Sequence, residues 1–261
     1  MRAKIQVHKT TSGILPFDYQ YALASMLYRK LAVGNIRLAN ASHATDGFKL
    51  YTFSNFVFPR RRKAKGGLQF SDAYFFLSSP DVEFVRSFAE GLLQEPEFQL
   101  YGAYFVVTGI EILQDKEFRS PCVFKTLSPI FLKTQREKNG MLVEWDLYPT
   151  DGKFHENMHQ NLVERYIEFY REKPRCDHFE ILSVQSWKPK RIVIGGGLGA
   201  TPRRCSLMTF TVDASTELLR FAYDAGFGEK NAMGFGCVDV VETRRNLKDE
   251  KAIKEKKSEQ Q

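Results

Sequence analysis

The sequence predicts an α+β protein made of two tandem βαββαβ units. Short runs with alternating apolar and polar residues, the mark of half-buried strands, are interleaved with longer stretches whose apolar residues return every three or four positions, the mark of helices. The order of these runs is approximately the same in the two halves of the chain. Hydrophobic residues make up 43% of the 261, enough for packed cores and too many for a disordered chain.

In the first half, residues 3–7 read as a strand and residues 18–33 as a helix with Leu23, Leu27 and Leu31 on one face. A shorter helix covers about 37–43 and ends at Asp46-Gly47. Residues 48–58 read as an aromatic-rich strand and residues 73–78 as another. Ser79-Pro80 offers an N-cap followed by proline at the first helical position, opening a helix whose apolar face is Phe84, Val85, Phe88 and Leu92. Strands at 98–100 and 104–113 close this half.

The second half repeats the plan. Residues 122–133 are strand-like, and 154–172 form a helix carrying Leu162, Tyr166 and Phe169. Strands follow at 179–187, 191–194 and 206–212. Asp213 and Ser215 are cap candidates for a helix with Leu218, Leu219 and Ala222, and 236–241 is the last strand. Each half is the ferredoxin-like unit, shared with RNA-recognition motifs. The division falls into residues 1–118 and 119–242, followed by a charged, aromatic-free tail at 243–261.

No apolar run approaches the roughly 18 residues that a membrane span needs, and no signal-peptide stretch opens the chain, so no membrane partner and a cytoplasmic setting are expected. Cys122, Cys176, Cys205 and Cys237 lie far apart, which excludes a CxxC pair and favours isolated thiols over a disulfide framework or structural zinc.

The net charge of +7 is concentrated. Arg60, Arg61, Arg62, Lys63 and Lys65 crowd one segment, and Lys188, Lys190, Arg191, Arg203 and Arg204 bracket a glycine-rich stretch at 195–199. A single basic cluster is as well explained by a solvated face. Two, beside glycines and aromatics, suit a phosphate-rich partner, because each cation at a phosphate releases counterions.

Residues 225–236, AGFGEKNAMGFG, hold two Gly-Phe-Gly triplets around a charged insert, between a helix and a strand. Gly226, Gly228, Gly234 and Gly236 permit positive φ and close backbone approach, and with Lys230 the loop suits an anion-binding nest; a tight helix–strand connection explains the glycines equally well. It is neither a P-loop nor a dinucleotide fingerprint. Residues 233–240 overlap the RNP1 pattern of RNA-recognition motifs imperfectly: a basic residue is wanted where Met233 stands, and aromatics where Cys237 and Val240 stand.

Together with Lys49-Leu-Tyr-Thr-Phe-Ser54, Thr126-Leu-Ser-Pro129 and Lys188-Pro-Lys190, this loop resembles the CRISPR-associated repeat-RNA endoribonucleases of the repeat-associated mysterious protein superfamily. The resemblance implies paired ferredoxin-like folds and CRISPR repeat RNA as partner. It also leaves room for a homodimer or for membership of an interference complex. Metal-free RNA cleavage needs a base for the 2′-OH, an acid for the leaving 5′ oxygen and a cation for the phosphate, with no cofactor. The family's archaeal members, as the resemblance implies, use a tyrosine, a histidine and a lysine in the segment where Tyr28, His43 and Lys49 stand. His43 is then general base or acid, Tyr28 its proton partner or the residue placing the 2′-OH, and Lys49 the phosphate's cation; Tyr51 is the reserve for Tyr28. The expected products are a 2′,3′-cyclic phosphate and a 5′-OH. Singly, each of these residues is more readily read as packing or surface; beside the glycine loop the catalytic reading gains weight.

Two other readings compete. His155-Glu156-x-x-His159 fits the zinc-peptidase pattern on a helix, with Glu172 or Glu180 as third ligand, but its flanks are strongly polar and a solvated helix face explains it. A non-catalytic RNA-binding subunit of a CRISPR complex shares the double fold. His8 and His178 receive no role.

Overall fold

The computed structural model describes residues 1–44, 47–195 and 200–241, with only the backbone of residues 43 and 44. The expected tail and most of the 195–199 stretch lie outside the described residues. In the first strand, β1 (Arg2–Lys9), Ala3, Ile5 and Val7 alternate inward. Next come β2 (Leu15–Pro16), α1 (Gln20–Gly34), α2 (Ile36–Ala44), β3 (Thr52–Phe53), β4 (Arg62–Ala64) and β5 (Gly67–Gln69). The half ends with β6 (Asp72–Ser78), α3 (Val82–Gln94), β7 (Glu97–Leu100) and β8 (Ala103–Leu113). The main sheet runs β3-β6-β1-β8-β7, antiparallel throughout, and β2-β5-β4 form a small separate sheet. Leu23, Leu27 and Leu31 of α1 and Phe84, Val85, Phe88 and Leu92 of α3 cluster with Ile5, Phe75, Leu77 and Phe105 of the sheet. Hydrophobic periodicity at 3.6 on the helices and at 2 on β1 thus meets in one core.

The second half contains β9 (Cys122–Thr126), β10 (Lys133–Lys138), β11 (Met141–Asp146), α4 (Lys153–Tyr170), β12 (Phe179–Ile194), β13 (Thr201–Ala214), α5 (Thr216–Ala225), a 3₁₀ turn (Asn231–Met233) and β14 (Val238–Val240). Its sheet order, β12-β13-β9-β14, reproduces the β3-β6-β1-β8 arrangement of the first half, so both halves are ferredoxin-like. Its core gathers Phe124, Met158, Leu162, Phe210, Leu218 and Phe227, and Phe118 packs here too.

Several expectations need correction. Of residues 48–58 only Thr52–Phe53 pair as a strand, with one isolated bridge at Val57. The chain leaves the edge of β6 because Asn55 gives its N–H to the Leu127 carbonyl of the other half. Helix α3 is capped by Asp81, whose carboxylate accepts from the N–H groups of Glu83 and Phe84, while the Ser79 hydroxyl donates to the Leu50 carbonyl and accepts from the Asp81 N–H, one residue ahead of the helix. The 122–133 run stops at Thr126, where Leu127 and Ser128 donate to the Cys237 carbonyl instead of continuing the ladder.

The three strands expected between 179 and 212 are two long ones. Pro189 does not break β12, because β12 is an edge strand and Pro189 faces Ser206, whose own N–H and C=O bond Ile130 on the far side. The ladder needs no N–H from Pro189. The β10–β11 hairpin is unpredicted; it turns on Asn139-Gly140, both at positive φ, 54° and 74°.

The halves are tied by buried polar contacts. Arg2, 3% exposed, donates to the Val238 and Tyr223 carbonyls at 2.7 and 2.6 Å, with its guanidinium 3.5 Å from the centre of the Tyr223 ring. The Thr52 hydroxyl donates to the Phe235 carbonyl at 2.8 Å.

Candidate functional site

Between the halves lies a cleft of 1290 Å³. One wall is α1, with Tyr21, Ser25, Tyr28 and Arg29, continued by Phe48, Lys49 and Tyr51. The other is α4, with Asn161 and Arg165, and the glycine loop from Gly228 to Met233.

Tyr28 is half-buried and packs on the first core. Behind it Tyr51 is stacked on Phe84 at 4.4 Å, and burial, with Tyr28 nearby, pushes its phenol up to about 12, so Tyr51 stays protonated at neutral pH. Lys49 donates its Nζ to the Ser42 carbonyl, and both residues line the cleft. This bond ties Lys49 to the last turn of α2, one residue from His43. The structure therefore brings Tyr28, Lys49 and the backbone next to His43 to one cleft; the His43 side chain lies outside the described residues.

The glycine loop is a built cradle. Gly226, Gly228, Gly234 and Gly236 have φ of 84°, 72°, 86° and 74°, and all four are buried. A methyl group on Gly236 would lie 1.9 Å from the Phe227 carbonyl oxygen, so only glycine fits. Loop N–H groups at Gly226, Phe227, Glu229, Met233, Gly234 and Gly236 all donate to protein carbonyls. Those amides are spent on rigidity rather than on an anion nest, and Lys230 is the loop's exposed cation.

Under the loop, the guanidinium of Arg165, a residue 1% exposed, donates to the carbonyls of Gly226 and Gly228 at 2.8 and 3.2 Å and to that of Ala225. Burial lowers its pKa to about 9, leaving it charged at neutral pH. It was not foreseen, although a signal existed: Met158, Leu162, Arg165 and Tyr166 share one buried stripe of α4, where a cation is out of place.

The basic clusters separate. Arg60, Arg61 and Arg62 line a different depression, with Lys9 and Gln69, and Lys63 lies on neighbouring β4. Lys188, Lys190 and Arg191 are exposed on β12, which leads to Gly195 in the cleft wall. Arg203 instead pairs with Glu144 and Asp146 at 2.8 and 3.3 Å, and Arg204 lies 4.2 Å over Tyr148. These two arginines hold β10–β11 against β13. Replacing Arg203 by glutamine is expected to lower the melting temperature while leaving the salt dependence of RNA binding unchanged.

His159 gives one ring nitrogen to the Asp177 carbonyl at 2.7 Å and stacks on Phe179, while His155 is exposed. Among the described residues, no group of three or more His, Cys, Asp and Glu is placed to hold a metal ion. Glu172 and Glu180 are therefore not brought to the two histidines. His8 pairs with Asp72, and His178 with Asp213.

Fold and site together define a class: paired ferredoxin-like domains, joined by a rigid glycine loop, with a tyrosine- and lysine-lined cleft between them. Residues 14–111 match the family described as CRISPR-associated protein Cas6, N-terminal, and residues 113–240 that described as CRISPR associated protein Cas6, C-terminal. CRISPR-associated endoribonuclease Cas6 1 of Methanocaldococcus jannaschii is 37% identical over 254 residues, 96% of either chain. The solved structure of a Cas6-related protein from Pyrococcus furiosus has a TM-score of 0.84 at 30% identity, covering 94% of this chain and 99% of that one. A RAMP protein binding different RNA substrates gives 0.84 at 32%, covering 93% and 100%. The chain belongs to the Cas6 family.

Proposed function

We propose that the protein is an endoribonuclease that cuts CRISPR repeat transcripts in the cleft between its halves. The observation that carries this reading is the meeting of Tyr28 and Lys49 with the last turn of α2, which bears His43, in that one cleft. The relative from Methanocaldococcus jannaschii is named as such an enzyme, and the RAMP protein of the same fold binds RNA.

In this mechanism the 2′-OH attacks the adjacent phosphorus and the 5′ oxygen leaves, giving a 2′,3′-cyclic phosphate and a 5′-OH. His43 moves a proton as general base or acid. Tyr28 positions the 2′-OH or carries the second proton. Lys49, oriented by the Ser42 carbonyl, stabilises the charge that builds on the phosphate. No step requires a metal ion.

Labelled repeat RNA incubated with the protein in excess EDTA tests this. Cleavage at one site with a cyclic-phosphate end supports the reading. RNA binding without any cut would make the chain a binding subunit, and a cut that needs a divalent ion would overturn the metal-free route.

Lys188, Lys190 and Arg191 on β12, with Arg60, Arg61, Arg62 and Lys63 on their separate face and Lys230 on the loop, supply the phosphate contacts. Changing the three β12 cations to glutamine is expected to flatten the plot of log K against log salt by about 2, at about 0.7 per phosphate for single-stranded RNA. A filter-binding titration over salt measures it; an unchanged slope would place the RNA elsewhere.

A further inference from the structure

The same tight turn occurs twice in this protein, and only one copy uses the residue that suits it. Both the β10–β11 and the β7–β8 hairpins close through two residues at positive φ. At the first they are Asn139 and Gly140, the preferred pair for such a turn. At the second they are Tyr101, at φ 47°, and Gly102, at 81°. A bulky side chain in the left-handed region is disfavoured, and it persists only where the surroundings or a function demand it.

No core demands it. Tyr101 is 55% exposed and lines the cleft. Its hydroxyl comes to 3.5 Å from the Asp18 carbonyl, just before α1, which places the ring beside the first turn of that helix. Tyr21, in that turn, is 39% exposed and lines the same cleft, as does the neighbouring Gln99. Tyr21 and Tyr28 are seven residues apart on one face of α1, so the two tyrosine positions are about 10 Å apart along the axis. At about 3.4 Å per stacked nucleotide, a base within about three nucleotides of the reacting phosphate reaches that spot.

We propose that Tyr21 and Tyr101 form a base-stacking subsite at the mouth of the cleft, which holds one unpaired nucleotide close to the bond that is cut. The proposal rests on the repeat-RNA reading above and deepens it: the enzyme selects for a nucleotide taken out of pairing beside the cleavage site. Exposed aromatic faces accept any base, so the subsite reads strandedness before sequence. Gln99 is placed to add hydrogen bonds to a base edge.

The test combines two variants with a set of RNAs. Repeat RNA is made with an abasic residue at each of the three positions on either side of the cut. Binding by anisotropy and single-turnover cleavage are measured for wild type, Tyr101→Asn and Tyr21→Ala. Tyr101→Asn is expected to melt at or above the wild-type temperature, since it restores the preferred turn. It should nevertheless weaken RNA binding about 10- to 100-fold, the range for losing one aromatic–base stack. The loss should fall on the half-saturating RNA concentration rather than on the rate at saturation.

One abasic position should cost the wild type that same factor and cost Tyr101→Asn nothing further. Equal binding by variants and wild type, or an abasic penalty that persists unchanged in both variants, would overturn the subsite. Binding with the expected penalty but no cleavage would overturn the nuclease reading and leave the subsite standing. Cleavage without the penalty would do the reverse.

Discussion

Replacing His43 by alanine is expected to lower the rate of repeat-RNA cleavage by about 10²- to 10⁴-fold, the usual contribution of one general acid or base. RNA affinity should stay close to wild type, because the proposed phosphate contacts are spread over the cations of β12, the loop and the small sheet. The direction follows from the chemistry of the side-chain types: an imidazole ordinarily gains and loses a proton near neutrality, which phenols and ammonium groups do not. Single-turnover cleavage at saturating RNA reads the rate, and anisotropy reads the affinity. Equal losses of rate and binding would mean that His43 holds the RNA rather than moving a proton. An unchanged rate would transfer the proton role to another residue, with Tyr28 the first to examine.

Replacing Arg165 by alanine is expected to cost about 3 kcal/mol or more of stability, because three buried carbonyls lose their donor at about 1–3 kcal/mol each. The side chain is the shared donor for three carbonyls of the glycine loop. Without it those oxygens are left buried with a cavity beside them, and a buried acceptor without a donor is costly. Arg165→Lys keeps the charge but not the planar fork, and should recover only part of the loss. Urea unfolding monitored through Trp145 and Trp187 gives the value. A change below about 0.5 kcal/mol, the level of an ordinary surface substitution, would mean that the loop holds itself without α4.

What the sequence made legible followed the strength of local signals. α1 and α3 were readable because their apolar stripes repeat over several turns, and the two-domain plan followed from the order of elements. Strand ends were not, because distant partners set them: the stretch 48–58 is shortened by a bond from Asn55 to Leu127. The β10–β11 hairpin carries a strong turn signal in Asn139-Gly140, yet its arms, KTQREK and MLVEWD, are largely polar or exposed and lack a buried alternation. In the cleft, Tyr28 and Lys49 were identifiable by residue type and by resemblance. Asn161, Arg165, Tyr21 and Tyr101 were not, because folding alone brings α4, the first turn of α1 and the β7–β8 turn to a common space. Of the two readings open for the glycines, an anion nest or a tight helix–strand connection, their burial and the close approach of neighbouring backbone favour the second.

The seam between the halves has a kinetic consequence. Arg2, Thr52 and Asn55 each bond across it, and Arg2 and Thr52 are buried there. A cleft with its sides riveted in this way is a slot of set width, not a jaw. On the proposed reading, a segment of RNA that is already unpaired should reach the site faster than a paired one, which stopped-flow binding of the two would measure. On the same reading, the cut product is expected to leave slowly, as its contacts let go one by one, and the dissociation rate of labelled product measures this.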